Sequence, residues 1–318
     1  MSATAVRHAC PIVAACWLAL AGCAPDVSDA DAARAGTALP GVLVSATWLA
    51  QHAGRPDLVV LDAREARAYD EGHVPGAASL PYAAMFDARD GRTHLMAPVG
   101  IVNTLLGDVG VDMETTVVVY SDGDYRPAAW MFLVLEAHGH SRAAVLEGGL
   151  ASWTAAGGLL EETRSSPGAA ARFVAEPDPD RLADALEIMR AIHDQSVVLV
   201  DARSYEEYTG DRVKEGLPRA GHIPTAINLP YTPPLVSDAG VCTTGDLASL
   251  TGAMSELYGE LRGKKVFTYC NTGRSAAVNY LVLRSLGVDA AVYDGSWTEW
   301  SMDPTLPVQI GPGNARVR

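Results

Sequence analysis

The chain has 318 residues, 48% of them hydrophobic and 19% charged, which is enough to bury two cores of ordinary size. Its formal net charge of −14 excludes nucleic acid as a partner, because phosphate binding needs a basic footprint. Any anionic substrate must be met by local cations set against that overall field.

Residues 1–23 read as a targeting segment and are set apart from the fold. Arg7 and His8 precede an apolar run from Ala9 to Ala21, shorter than the ~20 helical residues that span a bilayer. The run ends in Leu20-Ala21-Gly22-Cys23, which resembles a bacterial lipobox. That resemblance implies lipidation of Cys23 and a membrane-anchored protein facing the periplasm; Ala24, in place of an aspartate, points to the outer membrane. An ordinary secretory signal with an incidental cysteine is the alternative. Residues 24–41 are small, polar and acidic, as a flexible tether would be. Of five cysteines, Cys10 and Cys16 leave with the leader and Cys23 is the anchor, so only Cys242 and Cys270 remain in the folded body. Two cysteines make neither a disulfide framework nor a zinc constellation, and a Cys242–Cys270 bridge stays open.

The body then runs through one unit twice. Val59-Val60-Leu61-Asp62-Ala63-Arg64 recurs as Val198-Leu199-Val200-Asp201-Ala202-Arg203. Gly72-His73-Val74-Pro75 recurs as Gly221-His222-Ile223-Pro224, and Thr116-Val117-Val118-Val119-Tyr120-Ser121 as Lys265-Val266-Phe267-Thr268-Tyr269-Cys270. Val145-Leu146-Glu147-Gly148 recurs as Val292-Tyr293-Asp294-Gly295. The offset is 139 at the Asp-Ala-Arg pair (201 − 62) and 149 at the Gly-His pair (222 − 73), so the second copy carries ten extra residues between Ser204 and Ala220. A period this long means two tandem domains and not a solenoid. Each copy alternates short β-branched strands with helical segments, clearest at Ala128 to Ala137 and Ala276 to Leu286. That alternation predicts an α/β fold with mostly parallel sheets covered on both faces. The domains are placed at 42–160 and 180–310, with a Pro- and Ser-rich linker at 161–179 and a loose tail at 311–318.

The organising stretch is Lys265 to Ala277. Val266 to Tyr269 reads as a buried strand, Ala276 begins a helix, and Gly287 closes it. Cys270 falls on the loop between them, where unpaired amides and the positive end of the helix dipole favour a thiolate. Cys270 is thus either a buried structural cysteine or a nucleophile. Ser121 takes its place in the first copy.

The tandem Asp-Ala-Arg and Gly-His-Ile/Val-Pro motifs, the loop cysteine and the closing Tyr293-Asp294-Gly295-Ser296-Trp297-Thr298-Glu299-Trp300 resemble the rhodanese superfamily, and within it the two-domain thiosulfate and 3-mercaptopyruvate sulfurtransferases. The resemblance implies two rhodanese-like domains, the first inactive and the second catalytic. It implies no cofactor, a small anionic sulfur donor, and a thiol or cyanide acceptor. Cys270 would carry the sulfur as a persulfide, in two displacements. The six-residue loop from Cys270 to Ser275 has the sulfurtransferase length and not that of related phosphatases. Thr272 resembles the mercaptopyruvate type, whose relay partners match Asp62 and His73 of the first copy. Asn271, Gly273, Arg274 and Ser275 would cradle the donor. The family's two carboxylate-binding arginines fall on Glu207 and near Lys214, with Arg212 beside it, so Arg274 would supply a missing cation. Arg203 is expected to pair with a carboxylate, and Trp297 and Trp300 to pack, Trp297 against the pocket. A non-catalytic persulfide carrier or sensor is the competing reading.

Overall fold

A computed structural model describes residues 37–89, 92–164, 169–232, 234–236, 242–244 and 247–313. The leader, Cys23 and most of the tether lie outside the described residues. No helix among the described residues is long and apolar enough to cross a membrane.

The repeat is realised as two five-stranded parallel sheets with the same topology. In the first, the order is Leu43–Val44, Ala143–Leu146, Thr116–Tyr120, Leu58–Asp62, Ala78–Ser79. In the second, read from the opposite edge, it is Leu182–Ala183, Ala290–Tyr293, Lys265–Tyr269, Val197–Asp201, Ile227–Asn228. The central strand Thr116–Tyr120 is buried at every position, as a strand covered on both faces must be. Its counterpart ends at Tyr269, with Cys270 next in the chain. The sulfur therefore sits at the carboxyl end of a central strand, where open parallel sheets place their ligands.

The helices after these strands, Arg126–Ala137 and Arg274–Ser285, hold the copies together. Each is buried on every side along its middle, Pro127 to Leu135 and Ala276 to Leu283, because each covers its own sheet and also packs on the other copy. Trp130, Met131, Phe132 and Leu133 on one, and Leu281, Val282 and Leu283 on the other, are fully buried in one continuous core. Each such side chain contributes about 1.5–3 kcal/mol by leaving water. Within this contact Glu136 takes hydrogen bonds from Tyr280 (2.5 Å) and from Arg284 through Nε (3.0 Å) and Nη2 (2.9 Å).

Both helices start two residues earlier than the apolar pattern predicts. Pro127 fits the first turn, where its missing N–H is no loss. The linker is less free than its composition suggests. The amides of Ala171, Ala175, Glu176 and Asp178 bond to Gly107, Asn103, His138 and Ala137, and Phe173 is buried. At the other end Gln309 pairs with His222 as Glu161 pairs with His73, and Gly311 donates to Thr209, so the expected tail begins after a fixed segment.

Candidate active site

Four residues turn the chain from the strand Lys265–Tyr269 into the helix Arg274–Ser285. Gly273 makes the turn possible: its φ is +80°, and a Cβ there would come within 3.1 Å of Trp130 of the first copy. The amide of Thr272 donates to Cys270 Sγ at 3.4 Å. The closing motif braces the loop from behind. Cys270 donates to Ser296 Oγ and accepts from the Trp297 amide, while Asn271 O accepts from the Thr298 amide and hydroxyl. Cys270 is a free thiol, so the Cys242–Cys270 bridge is not formed. It is only 4% exposed, yet it lines a cavity of about 610 Å³. The sulfur is therefore shielded from bulk water but open to a small molecule.

Asn271, Thr272, Arg274, Ser275, Arg212 and Lys214 line this cavity with Cys270. Gly273 shapes the loop without lining it. The ten extra residues of the second copy fold over the cavity as an irregular loop and carry Arg212 and Lys214 to it. Arg274 Nε donates to Thr272 Oγ1 (3.3 Å), which fixes the cation beside the hydroxyl, and Cζ lies 5.8 Å from the centre of the Phe86 ring. Glu207 also lines the cavity; it accepts from Asn271 Nδ2 (3.0 Å) and lies 3.6 Å from Arg212. The charge of Arg212 is thus offset locally. The sequence reading missed Arg126, which reaches the same cavity from the first copy. No motif marks it, since the contact depends on how the two domains pack.

The structure corrects the assignment of Asp62 and His73. Neither lines the cavity, and both are wholly buried within the first copy. Asp62 accepts from Arg64 Nε (2.9 Å), Arg64 Nη2 (2.6 Å), the Arg64 amide (3.0 Å) and the Tyr120 hydroxyl (2.6 Å). His73 stacks on Tyr69 with centroids 3.7 Å apart, and its Nδ1 is 2.9 Å from Tyr69 O. The second copy repeats the device. Arg203 pairs with Asp201 and reaches Gly221 O, as Arg64 reaches Gly72 O, and His222 stacks on Tyr208 at 3.7 Å. The motif braces the fold in both copies, and in the second copy its Arg203 also lines the cavity. Trp297 lies under the Arg203 guanidinium at 4.4 Å and Trp300 bonds to Pro307 O; both pack, and neither walls the cavity.

The histidine that does feel the loop's charges is His94, on the hairpin Phe86–Arg89/Arg92–Met96 of the first copy. Burial first, then the positive charges of Arg274 and Lys214, push its pKa below the usual histidine range. The imidazole is therefore neutral at pH 7 and able to accept a proton. The first copy has no comparable nucleophile. Ser121 is 2% exposed and donates to Asp124 O at 2.6 Å, closing its loop on itself.

The Rhodanese-like domain family matches residues 45–156 and 184–303. The 3-mercaptopyruvate sulfurtransferase of Escherichia coli (strain K12) is 30% identical over 283 residues, covering 84% of this chain and 97% of the relative. The thiosulfate sulfurtransferase of Corynebacterium glutamicum is 31% identical over 289 residues, covering 86% and 91%. The crystal structure of an anaerobic ergothioneine biosynthesis enzyme from Chlorobium limicola, with trimethyl histidine bound, superposes with a TM-score of 0.70 at 25% identity, over 85% of this chain and 70% of that one. Two matched domains, one carrying the loop cysteine and one without it, place this chain in the rhodanese family.

Proposed function

We propose that the protein is a sulfurtransferase that moves sulfane sulfur from thiosulfate or 3-mercaptopyruvate to cyanide or a thiol acceptor. The observation that carries the reading is the Cys270 sulfur at the end of a central strand, met by the Thr272 amide and opening on a cavity lined by cations. With thiosulfate, the Cys270 thiolate attacks the outer sulfur; the new S–S bond forms as the old one breaks, and sulfite leaves with the electron pair. The persulfide anion on Cys270 is then stabilised by the Thr272 amide beside it and by the positive start of the helix Arg274–Ser285. Cyanide attacks the outer sulfur, thiocyanate leaves, and the Cys270 thiolate returns. With 3-mercaptopyruvate the C–S bond breaks instead, and the thiol proton ends on the carbon of pyruvate; a relay of that proton through Thr272 is supported by its hydroxyl, which accepts from Arg274 Nε at the cavity wall.

The two curated relatives act, by name, on different donors at nearly equal identity. Donor choice therefore rests on the cavity, where Glu207 weakens carboxylate recognition and Arg274 and Lys214 favour a compact anion. A cyanide assay with each donor tests the reading. Cys270→Ser is expected to abolish turnover, and residual activity above a few per cent would reject the assignment. Turnover with neither donor, alongside a stable persulfide on Cys270 by mass spectrometry, would make the protein a carrier. Lipid anchoring at Cys23 on the periplasmic side of the envelope is supported by the lipobox-like motif. Loss of the acyl mass from the mature N-terminus in Cys23→Ala tests it.

A further inference from the structure

The cavity over Cys270 is not the work of the catalytic copy alone. Glu206, Glu207, Arg212, Lys214 and Arg274 come from the second copy, but Arg126 comes from the first. It opens the helix Arg126–Ala137 and is held from two sides. Its Nε donates to both oxygens of Asp124 (3.0 and 2.8 Å), and its Nη2 is 2.6 Å from Asp124 Oδ2. Its Cζ lies 5.6 Å from the centre of the Tyr231 ring, a second-copy residue that also lines the cavity. Nη1 has no partner among the described residues, and the side chain is 39% exposed, so one edge of the guanidinium is open.

An arginine fixed this way has already lost its rotamer freedom, so little more is lost when a ligand binds. Asp124, its main hydrogen-bond partner, pushes its pKa further up, so it is charged at every working pH. Asp124 also offsets its long-range field. What Arg126 offers is therefore a directed, charge-assisted hydrogen bond and not steering. The other arginines at the cavity also have partners: Arg212 has Ser204 and Glu207, Arg274 has Thr272, and Arg203 has Asp201.

We infer that Arg126, from the copy without a nucleophile, binds the anionic end of the sulfur donor while Cys270 takes its sulfur. The ligand chemistry is an oxyanion, the sulfonate of thiosulfate or the carboxylate of a mercapto acid. The inference rests on the sulfurtransferase reading, and its test is built so that the two can fail separately.

Arg126→Ala and Arg126→Lys are compared with the wild type in the cyanide assay with each donor. A second measurement needs no turnover: protection of Cys270 from iodoacetamide by sulfate at constant ionic strength, read on the Cys270 peptide by mass spectrometry. In Arg126→Ala the KM is expected to rise about tenfold with kcat within twofold, the scale of one lost charge-assisted hydrogen bond, with partial recovery in Arg126→Lys. The sulfate needed for half protection should rise by a similar factor. A KM rise confined to thiosulfate identifies the sulfonate as the bound group, and one confined to 3-mercaptopyruvate the carboxylate. Unchanged KM for both donors with unchanged sulfate protection overturns the inference. So does a fall in kcat at constant KM, which would report lost support for Tyr231. If the wild type turns over neither donor, the sulfurtransferase reading fails, and sulfate protection alone decides whether Arg126 holds an oxyanion beside Cys270. Should Arg126→Ala not fold by circular dichroism, Arg126→Gln takes its place.

Discussion

Replacing Asp62 by alanine separates a brace from a catalytic relay. The carboxylate is fully buried and accepts four groups: both nitrogens on one edge of Arg64, the Arg64 amide and the Tyr120 hydroxyl. The Arg64 side chain is itself only 8% exposed. Removing the anion leaves a buried guanidinium with only Gly72 O to bond and a buried hydroxyl without its acceptor. Breaking a buried pair from one side costs about 3–5 kcal/mol. At about 2–4 °C per kcal/mol for chains of this size, the melting temperature should fall by roughly 6–20 °C. The kcat of the folded fraction should stay within twofold, because Asp62 touches neither Cys270 nor the cavity. Thermal melts and steady-state kinetics, both taken well below the variant's melting point, check this. A hundredfold loss of kcat with an unchanged melting temperature would refute the reasoning and restore Asp62 to the reaction. Asp201→Ala, its twin, should lose similar stability.

Asp294 gives a pH test. Burial pushes its pKa up to about 6, although the Met96 amide donates to it. The unfolded carboxyl titrates near 3.8, so between pH 4 and 6 the native state keeps a proton that the unfolded state has lost. Stability should therefore fall as pH rises through that window, and Asp294→Asn should flatten the slope; an identical slope in the variant would show that another group sets it. Gly273→Ala should impose about 1–3 kcal/mol of backbone strain and press on the buried Trp130. Turnover should drop at least tenfold as the Thr272 amide moves off the sulfur, and wild-type kinetics would contradict the loop geometry. Glu136→Ala, tested with Arg284→Ala in a double-mutant cycle by urea unfolding, should show a coupling of about 1–3 kcal/mol across the two copies. A coupling near zero would mean that the Glu136–Arg284 pair adds nothing to the inter-helix contact.

The two relatives and the cavity bear on different questions. Similarity over most of the chain establishes the family, but the residues that line the cavity lie on five separate pieces: the loop after Tyr269, the segment Ala202 to Glu207, the insertion after Thr209, Pro230 to Thr232 and the start of the Arg126–Ala137 helix. Neither the insertion nor the helix start carries a motif.

The repeat, the α/β class and the position of Cys270 were legible because each is a local property. Strands such as Val59 to Asp62 and Val198 to Asp201 announce themselves by β-branched runs, and a cysteine between a strand and a helix has its amides supplied by its neighbours in sequence. Packing between the copies is not local. Nothing in Gly-His-Val-Pro distinguishes a histidine stacked on Tyr69 from one facing a substrate, so the sequence alone does not show that His73 stays off the cavity lining. Arg126 and His94 carry no periodic signal, and they reach the loop's surroundings only because two apolar helices dock and bring the first copy's edge over the second copy's strand ends. The position of the sulfur follows from local sequence; tertiary structure decided which charges surround it, because a side chain's electrostatic environment is set by neighbours distant in the chain.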